Sequence, residues 1–145
     1  MWTRRGLAIS GVLAAWGFSK GPPAAGAKAE TPKVVYHLND LDRVGLVLRS
    51  VRNHYAGMAG EAIVIALVVH SSALRAFHKA TASLDVLDGL ADSVDNGLVA
   101  YACSNTLRAE GISRSDLLPG FDPAESVGVV KLADLQMRGF AYIRP

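Results

Sequence analysis

The single cysteine of the sequence, Cys103, stands where a reactive thiol is favoured. It follows the apolar run 98–102, which is typical of a β-strand, and it precedes Ser104–Leu107, which indicates the start of a helix. Unpaired N–H groups and the positive end of the helix dipole stabilise a thiolate at such a position. The pattern therefore predicts a nucleophile. Because cysteine is also among the residues most often buried in a core, a purely structural role stays open.

Two histidines stand at the ends of other predicted strands. The first strand ends with His37, and the most apolar run of the mature chain, 62–69, is followed directly by His70. All strands of a parallel sheet end at one edge, and ligands bind in the crevice beyond that edge. We therefore expect His37, His70 and Cys103 to meet at one rim, where each imidazole is either functional or a hydrogen-bonded structural group.

A zinc site formed by His37, His70 and Cys103 is chemically allowed, because zinc accepts nitrogen and sulfur ligands. Their spacing does not favour it, so the sequence predicts no metal and no cofactor. It also has no glycine-rich phosphate loop, no Gly-x-Ser-x-Gly elbow and no His-Glu-x-x-His motif.

The elements that position these residues alternate between strand and helix. Periodicity predicts strands at 34–38, 62–69, 98–102 and 140–143, and helical segments at 44–55, 71–80, 84–94, 104–110, 113–116 and 128–137. The run 62–69 is continuously apolar, as in a strand buried on both faces, and this favours a parallel sheet between two helical layers. The predicted fold class is a three-layer α/β/α domain.

Length and composition limit the function classes. The 145 residues, 50% of them apolar and 19% charged, predict one compact domain and exclude wholesale disorder. One cysteine excludes an intramolecular disulfide framework and a Cys-x-x-Cys site. Residues 30–145 carry 11 basic and 13 acidic side chains, so a nucleic-acid surface is not supported.

The first 29 residues have the composition of an export signal. They contain four basic and no acidic side chains, and Arg4-Arg5 precedes an apolar stretch of 13 residues, 6–18, which is too short to span a bilayer comfortably. The paired arginines predict a twin-arginine signal cleaved between Ala27 and Glu30. An ordinary secretory signal and an uncleaved tether are the alternatives. Processing by either signal leaves a periplasmic domain, 30–145, without stable membrane insertion.

Five segments of the chain form a pattern in order and spacing: KVVYHLN at 33–39, VVH at 68–70, ACSNTL at 102–107, GI to DLLPG at 111–120 and LQ to GFAYIRP at 135–145. Together they resemble the DsrE/DsrF-like family of sulfur-relay proteins. The resemblance implies a mostly parallel five-stranded sheet and assembly as a trimer or hexamer. It also implies that Cys103 carries sulfur as a persulfide. One departure is that Ser71 follows His70, where the family pattern has glycine.

The function predicted from these residues is sulfur transfer in sulfur-compound metabolism. Cys103 is the nucleophile, and His70 orients the sulfur donor or moves a proton. The predicted substrate-binding residues are Asn105, Thr106, His37 and Asn39. Since the chain has no second cysteine, the sulfur donor and acceptor must be partner proteins or small thiols.

The alternative function is a non-catalytic module of the same fold that binds a small ligand or takes part in assembly. In that case Cys103 is simply a core residue. Both functions are compatible with a homo-oligomer, because a chain of this size leaves apolar patches that subunit contacts can cover.

Overall fold

The computed structural model describes residues 30–145, so the predicted export signal and its cleavage position lie outside the described residues. The strands are β1 (Lys33–Leu38), β2 (Val64–Val69), β3 (Val99–Ala102) and β4 (Ala141–Ile143). The α-helices are α1 (Val44–Gly57), α2 (Leu84–Asp95), α3 (Ser104–Glu110) and α4 (Gly128–Met137). Short 3₁₀ helices occupy Leu41–Arg43, Ser71–Phe77 and Arg114–Asp116.

The strands form one parallel sheet in the order β3-β2-β1-β4. Their carboxyl ends therefore lie at the same edge, where Leu38 pairs with Val69 and Val69 pairs with Ala102. The expected alternation of strands and helices is confirmed, and it places the residues that follow each strand side by side.

The sheet has four strands among residues 30–145, so the five strands implied by the family resemblance are wrong in number. The segment 121–126 runs beside β3 but touches it through only two isolated bridges, Ala100 with Phe121 and Cys103 with Ser126. Pro123 lacks an N–H group, and the Asp122 carboxylate accepts the Ala124 N–H at 2.8 Å. This local turn prevents a regular fifth strand.

Helices cover both faces of the sheet, which confirms the three-layer architecture. On one face, α1, α2 and the 3₁₀ helix Ser71–Phe77 bury the larger core, in which Val51, Ile65 and Phe77 are fully buried. On the other face, Leu132 and Leu135 of α4 pack on inward-facing residues of β1 and β2. Within residues 30–145, no helix combines the length and the apolar character needed to cross a bilayer.

The segment after β2 differs from the expected helix 71–80, because it is the shorter 3₁₀ helix Ser71–Phe77. It begins with Ser71 in the left-handed backbone region, at φ 55°. That region favours glycine, which explains why the family pattern has glycine after the histidine. The Ser71 N–H donates to Thr106 Oγ1 at 3.0 Å, a contact that holds this conformation.

Candidate functional site at the carboxyl edge of the sheet

A row of polar side chains crosses the carboxyl edge in the order of the strands. Cys103 directly follows β3, His70 directly follows β2, and His37 lies near the end of β1. At the far end, β4 supplies Tyr142 and is followed by Arg144. The structure therefore brings the sequence-predicted residues to one edge, because each belongs to a strand end of the same parallel sheet.

The thiol of Cys103 is surrounded by the starts of two helices. Cys103 is the N-cap residue of α3, and the N–H of Gly128, the first residue of α4, donates to Cys103 Sγ at 3.2 Å. The Cys103 N–H itself donates to Val69 O at 3.0 Å, which fixes the residue against the end of β2. Cys103 is 6% exposed. The thiol is thus both enclosed and supplied with donors.

These donors lower the pKa of the Cys103 thiol. Burial alone raises that pKa, but hydrogen bonds outweigh burial. The donors are the N–H groups of Gly128, Thr106 and Asn105, together with the Thr106 hydroxyl. The net effect favours the thiolate, which is the nucleophilic form of cysteine. Thr106 and Asn105 were both predicted from the sequence as substrate-binding residues, and both follow Cys103 in the first turn of α3.

Gly128 is a site residue that the sequence analysis missed. A Cβ atom at this position would lie 3.3 Å from Cys103 Cβ and 3.4 Å from both Cβ and Cδ2 of His70. Glycine therefore lets α4 begin close to the two side chains without a tight Cβ contact. The signal in the sequence was a glycine at the first position of a predicted helix, where it adds no helix propensity.

The two histidines are in direct contact with each other. His37 Nε2 lies 2.5 Å from His70 Nε2, the ring centroids are 4.7 Å apart and the ring planes differ by 24°, so the two rings meet end to end. One ring donates a hydrogen and the other accepts it. The remaining nitrogens are also bonded, since Tyr142 Oη lies 2.5 Å from His37 Nδ1 and Ser71 Oγ lies 2.9 Å from His70 Nδ1.

Both imidazoles are held in the neutral form at neutral pH. Burial, followed by repulsion from His70 and Arg144, lowers the pKa of His37 to about 4. Burial and the charge of Arg144 also lower the pKa of His70. Neutral imidazoles can accept and donate hydrogen bonds at the same time, so the pair is suited to positioning a ligand or exchanging a proton.

Among residues 30–145, no hydrogen bond joins His70 directly to Cys103. The two side chains instead face each other across Gly128, whose Cβ position is close to both. A second connection runs through Thr106, whose Oγ1 accepts the Ser71 N–H at 3.0 Å and whose hydroxyl is among the groups that lower the pKa of the Cys103 thiol. The histidine pair and the thiol are therefore neighbours in one structural unit.

The far end of the row was only partly anticipated. Asn39, a predicted substrate-binding residue, accepts from Arg144 Nη2 at 3.1 Å through its Oδ1. Tyr142 was not assigned to the site from the sequence, because β4 is short and lies 105 residues after His37 in the chain. The Asn105 side-chain oxygen accepts from Arg108 Nη2, whereas the Asn105 main-chain N–H is among the groups that lower the pKa of the Cys103 thiol.

No group of three or more His, Cys, Asp or Glu side chains in the described part of the chain is arranged to hold a metal ion. His37 and His70 converge as a pair, without a third such residue.

Comparisons with known proteins identify relatives among solved structures. No protein-family model matches the chain, and no curated protein matches it. The protein of unknown function MTH1491 from Methanobacterium thermoautotrophicum is 34% identical, with a TM-score of 0.69, over 79% of this chain and 99% of that protein. The YchN protein from E. coli has a TM-score of 0.63 and 18% identity, over 79% of this chain and all of that protein, and so shares the fold. The chain therefore belongs to the family of MTH1491, a DsrE/YchN-type family of α/β proteins.

Proposed function

We propose that the protein is a sulfur carrier, similar to a sulfurtransferase, that holds sulfane sulfur as a persulfide on Cys103. The observation that carries the proposal is the set of donors aimed at the thiol by α3, α4 and Thr106, which lowers the thiol pKa. A buried core cysteine has no need of such donors, and an apolar site would raise its pKa instead. Membership of the DsrE/YchN-type family supports the same assignment.

The transfer needs no external oxidant or reductant. The Cys103 thiolate attacks the outer sulfur of a donor persulfide, a new S–S bond forms, and the donor leaves as a thiolate. An acceptor thiolate then attacks the outer sulfur held on Cys103, which regenerates the Cys103 thiolate. Because the chain has only one cysteine, both partners are other molecules, either proteins or small thiols.

The surrounding residues have distinct roles in this proposal. Thr106 and the N–H of Asn105 stabilise the anionic sulfur during transfer. His70, paired with His37 and held neutral, orients the donor or exchanges its proton. Asn39 completes the binding edge next to Arg144.

Intact-mass spectrometry tests the assignment. The native protein, treated with polysulfide, is expected to gain the mass of one sulfur atom. Since a sulfinic acid adds nearly the same mass, the product is then treated with dithiothreitol, which removes a persulfide sulfur but does not reverse sulfinic acid formation. The absence of a dithiothreitol-reversible adduct would contradict the proposal.

The second candidate function is a binding or assembly module without turnover. The low exposure of Cys103, at 6%, favours it, because a thiol enclosed in the fold is poorly accessible to a protein partner. Alkylation separates the two functions. A module without chemistry has a thiol that reacts with iodoacetamide only after unfolding, whereas a carrier thiol reacts in the native state.

We further infer that the protein works in the periplasm after export through the twin-arginine pathway. The basis is the paired Arg4-Arg5 and the apolar segment after it. The Arg4→Lys, Arg5→Lys double variant is expected to leave folded precursor inside the cell. Normal export of that variant would remove the twin-arginine assignment.

We also propose that the protein forms a homotrimer or homohexamer. Apolar side chains on α4 support subunit contacts: Val129 is 64% exposed, Val130 is 63% exposed and Met137 is 82% exposed. Light scattering at micromolar concentration tests this proposal. A monomeric mass would overturn it.

A further inference from the structure

The polar row continues past the histidine pair into a small cavity of about 220 Å³ at the ends of β1 and β4. His37 forms one side of the cavity, and Asn39, Asp40, Arg43 and Arg144 line the rest of its polar surface. Since His37 belongs both to this cavity and to the histidine pair, the cavity and the pair are contiguous.

The charges of the cavity favour an anion. Arg43 and Arg144 contribute two guanidinium groups, and neither forms an ion pair within residues 30–145. Asp40 is the one acidic side chain of the lining, which also includes Pro145. Its carboxylate accepts the Asp42 N–H at 3.1 Å and so is engaged with the start of the 3₁₀ helix. Asn39 orients the Arg144 guanidinium at 3.1 Å. A guanidinium fork matches a carboxylate better than it matches a monatomic anion.

The distance between the cavity and the thiol limits the size of the ligand. Neighbouring strands of a sheet lie about 4.8 Å apart, so β1 and β4 lie about 10 and 14 Å from β3. An inorganic sulfur donor is too short to contact both the cavity and Cys103. An extended peptide of about three to four residues spans roughly 10–14 Å, which matches the range of separations.

We propose that the sulfur donor is a short peptidic persulfide whose carboxylate binds Arg144 and Arg43 while its outer sulfur lies at Cys103. This inference rests on the sulfur-carrier function and adds the chemical class of the substrate. The peptide passes over His37 and His70, whose rings are partly exposed at this edge. The Cys103 thiolate attacks the outer sulfur, the S–S bond of the donor breaks, and the peptide leaves as its thiolate.

A binding measurement tests, without any sulfur transfer, whether a peptide carboxylate binds Arg144 and Arg43. S-methylglutathione has peptide carboxylates but no transferable sulfur, so its affinity reports on the cavity alone. In calorimetry at physiological ionic strength, the Arg144→Gln variant is expected to bind about five- to tenfold more weakly than the parent protein. Arg144→Lys, which keeps the charge without the fork, should recover part of the loss.

The matched control is Arg138→Gln, since Arg138 is the C-cap residue of α4 and has an exposed guanidinium whose partner is Asp134. This variant should bind S-methylglutathione like the parent protein. Equal affinities of Arg144→Gln and Arg138→Gln for S-methylglutathione, or no binding to the parent protein, would overturn the proposal that a peptide carboxylate binds at Arg144.

The kinetics of sulfur loading onto Cys103 test whether a donor bound at the cavity also reaches the thiol. The Arg144→Gln variant should need about five- to tenfold more glutathione persulfide for half-maximal loading of Cys103, with loading by inorganic polysulfide unchanged. Equal losses with both donors would overturn the proposal. If neither donor loads the parent protein, the sulfur-carrier function fails, and calorimetry still decides whether the cavity binds a peptide carboxylate.

Discussion

The two ends of the polar row are built in different ways. At the thiol end, Cys103 is 6% exposed, and most of its donors are main-chain N–H groups at the starts of α3 and α4. At the histidine end, the contacts of His37 and His70 join side chain to side chain, and Tyr142 of β4 is 43% exposed.

This difference determines how each end responds to change. Main-chain donors do not titrate, and their positions change only when the backbone moves. The one side-chain donor at this end is the Thr106 hydroxyl, which a substitution can remove. Imidazoles titrate, and their side-chain partners can be replaced one at a time. We therefore expect the thiol end to respond to packing and the histidine end to respond to pH.

The largest effect is expected from Gly128→Ala at the thiol end. The added Cβ lies 3.3 Å from Cys103 Cβ and 3.4 Å from His70 Cβ, tighter than an ordinary van der Waals contact. Both of these Cβ atoms belong to residues fixed at strand ends, so we expect the start of α4 to give by a few tenths of an ångström and its N–H···Sγ bond to lengthen. The free energy of unfolding should fall by about 1–3 kcal/mol, as measured by urea unfolding. The control is Gly57→Ala at the end of α1, where no heavy atom lies within 4 Å of the added Cβ. A loss of stability as large in the control as at Gly128 would contradict the packing argument.

The next effect is a loss of stability in acid at the histidine end. The pKa of His37 is about 4 in the folded protein and near 6.5 when unperturbed, so between these values the unfolded chain binds a proton that the folded chain does not. The free energy of unfolding should therefore decrease as pH falls through this range, by about 2 kcal/mol after allowance for partial exposure. Urea unfolding at several pH values measures this decrease. His37→Gln should flatten the profile, and an unchanged profile in that variant would disprove the assignment.

A smaller effect is expected from Thr106→Val, which removes one donor from the thiol and the acceptor of the Ser71 N–H. The thiol pKa should rise by about one unit, which corresponds to roughly the free energy of one hydrogen bond. Ultraviolet absorbance of the thiolate during a pH titration measures it. Thr106→Ser keeps the hydroxyl and should titrate like the parent protein. If the valine and serine variants titrate alike, the hydroxyl has no role.

The smallest change in stability is expected from Tyr142→Phe, below about 0.5 kcal/mol, because Tyr142 is an exposed side chain on an edge strand. The same substitution removes the hydroxyl 2.5 Å from His37 Nδ1, so the tautomer of His37 should change. Nitrogen-15 NMR of the imidazole detects that change. Identical spectra for the variant and the parent protein would show that the hydroxyl does not direct the histidine pair.

Most of the fold is predictable from local patterns. The apolar stripe of α1 predicts a helix with one buried face, and the continuous apolar run of β2 predicts a strand buried on both faces. Both elements are found. The 3₁₀ helix after β2 is different, because its conformation depends on the contact between Ser71 and Thr106, 35 residues apart. Local propensity contains no information about that contact.

The sequence by itself determined that Cys103, His70 and His37 lie at one edge, because parallel strands all end on the same side. Only the tertiary structure decided what each of them contacts. Gly128 and Tyr142 reach the row from α4 and β4, 25 residues after Cys103 and 105 residues after His37 in the chain. Such contacts follow from the packing of a helix onto the sheet and from the position of an edge strand. Neither the packing of α4 nor the position of β4 can be predicted from the residues that neighbour Cys103, His37 and His70 in the sequence.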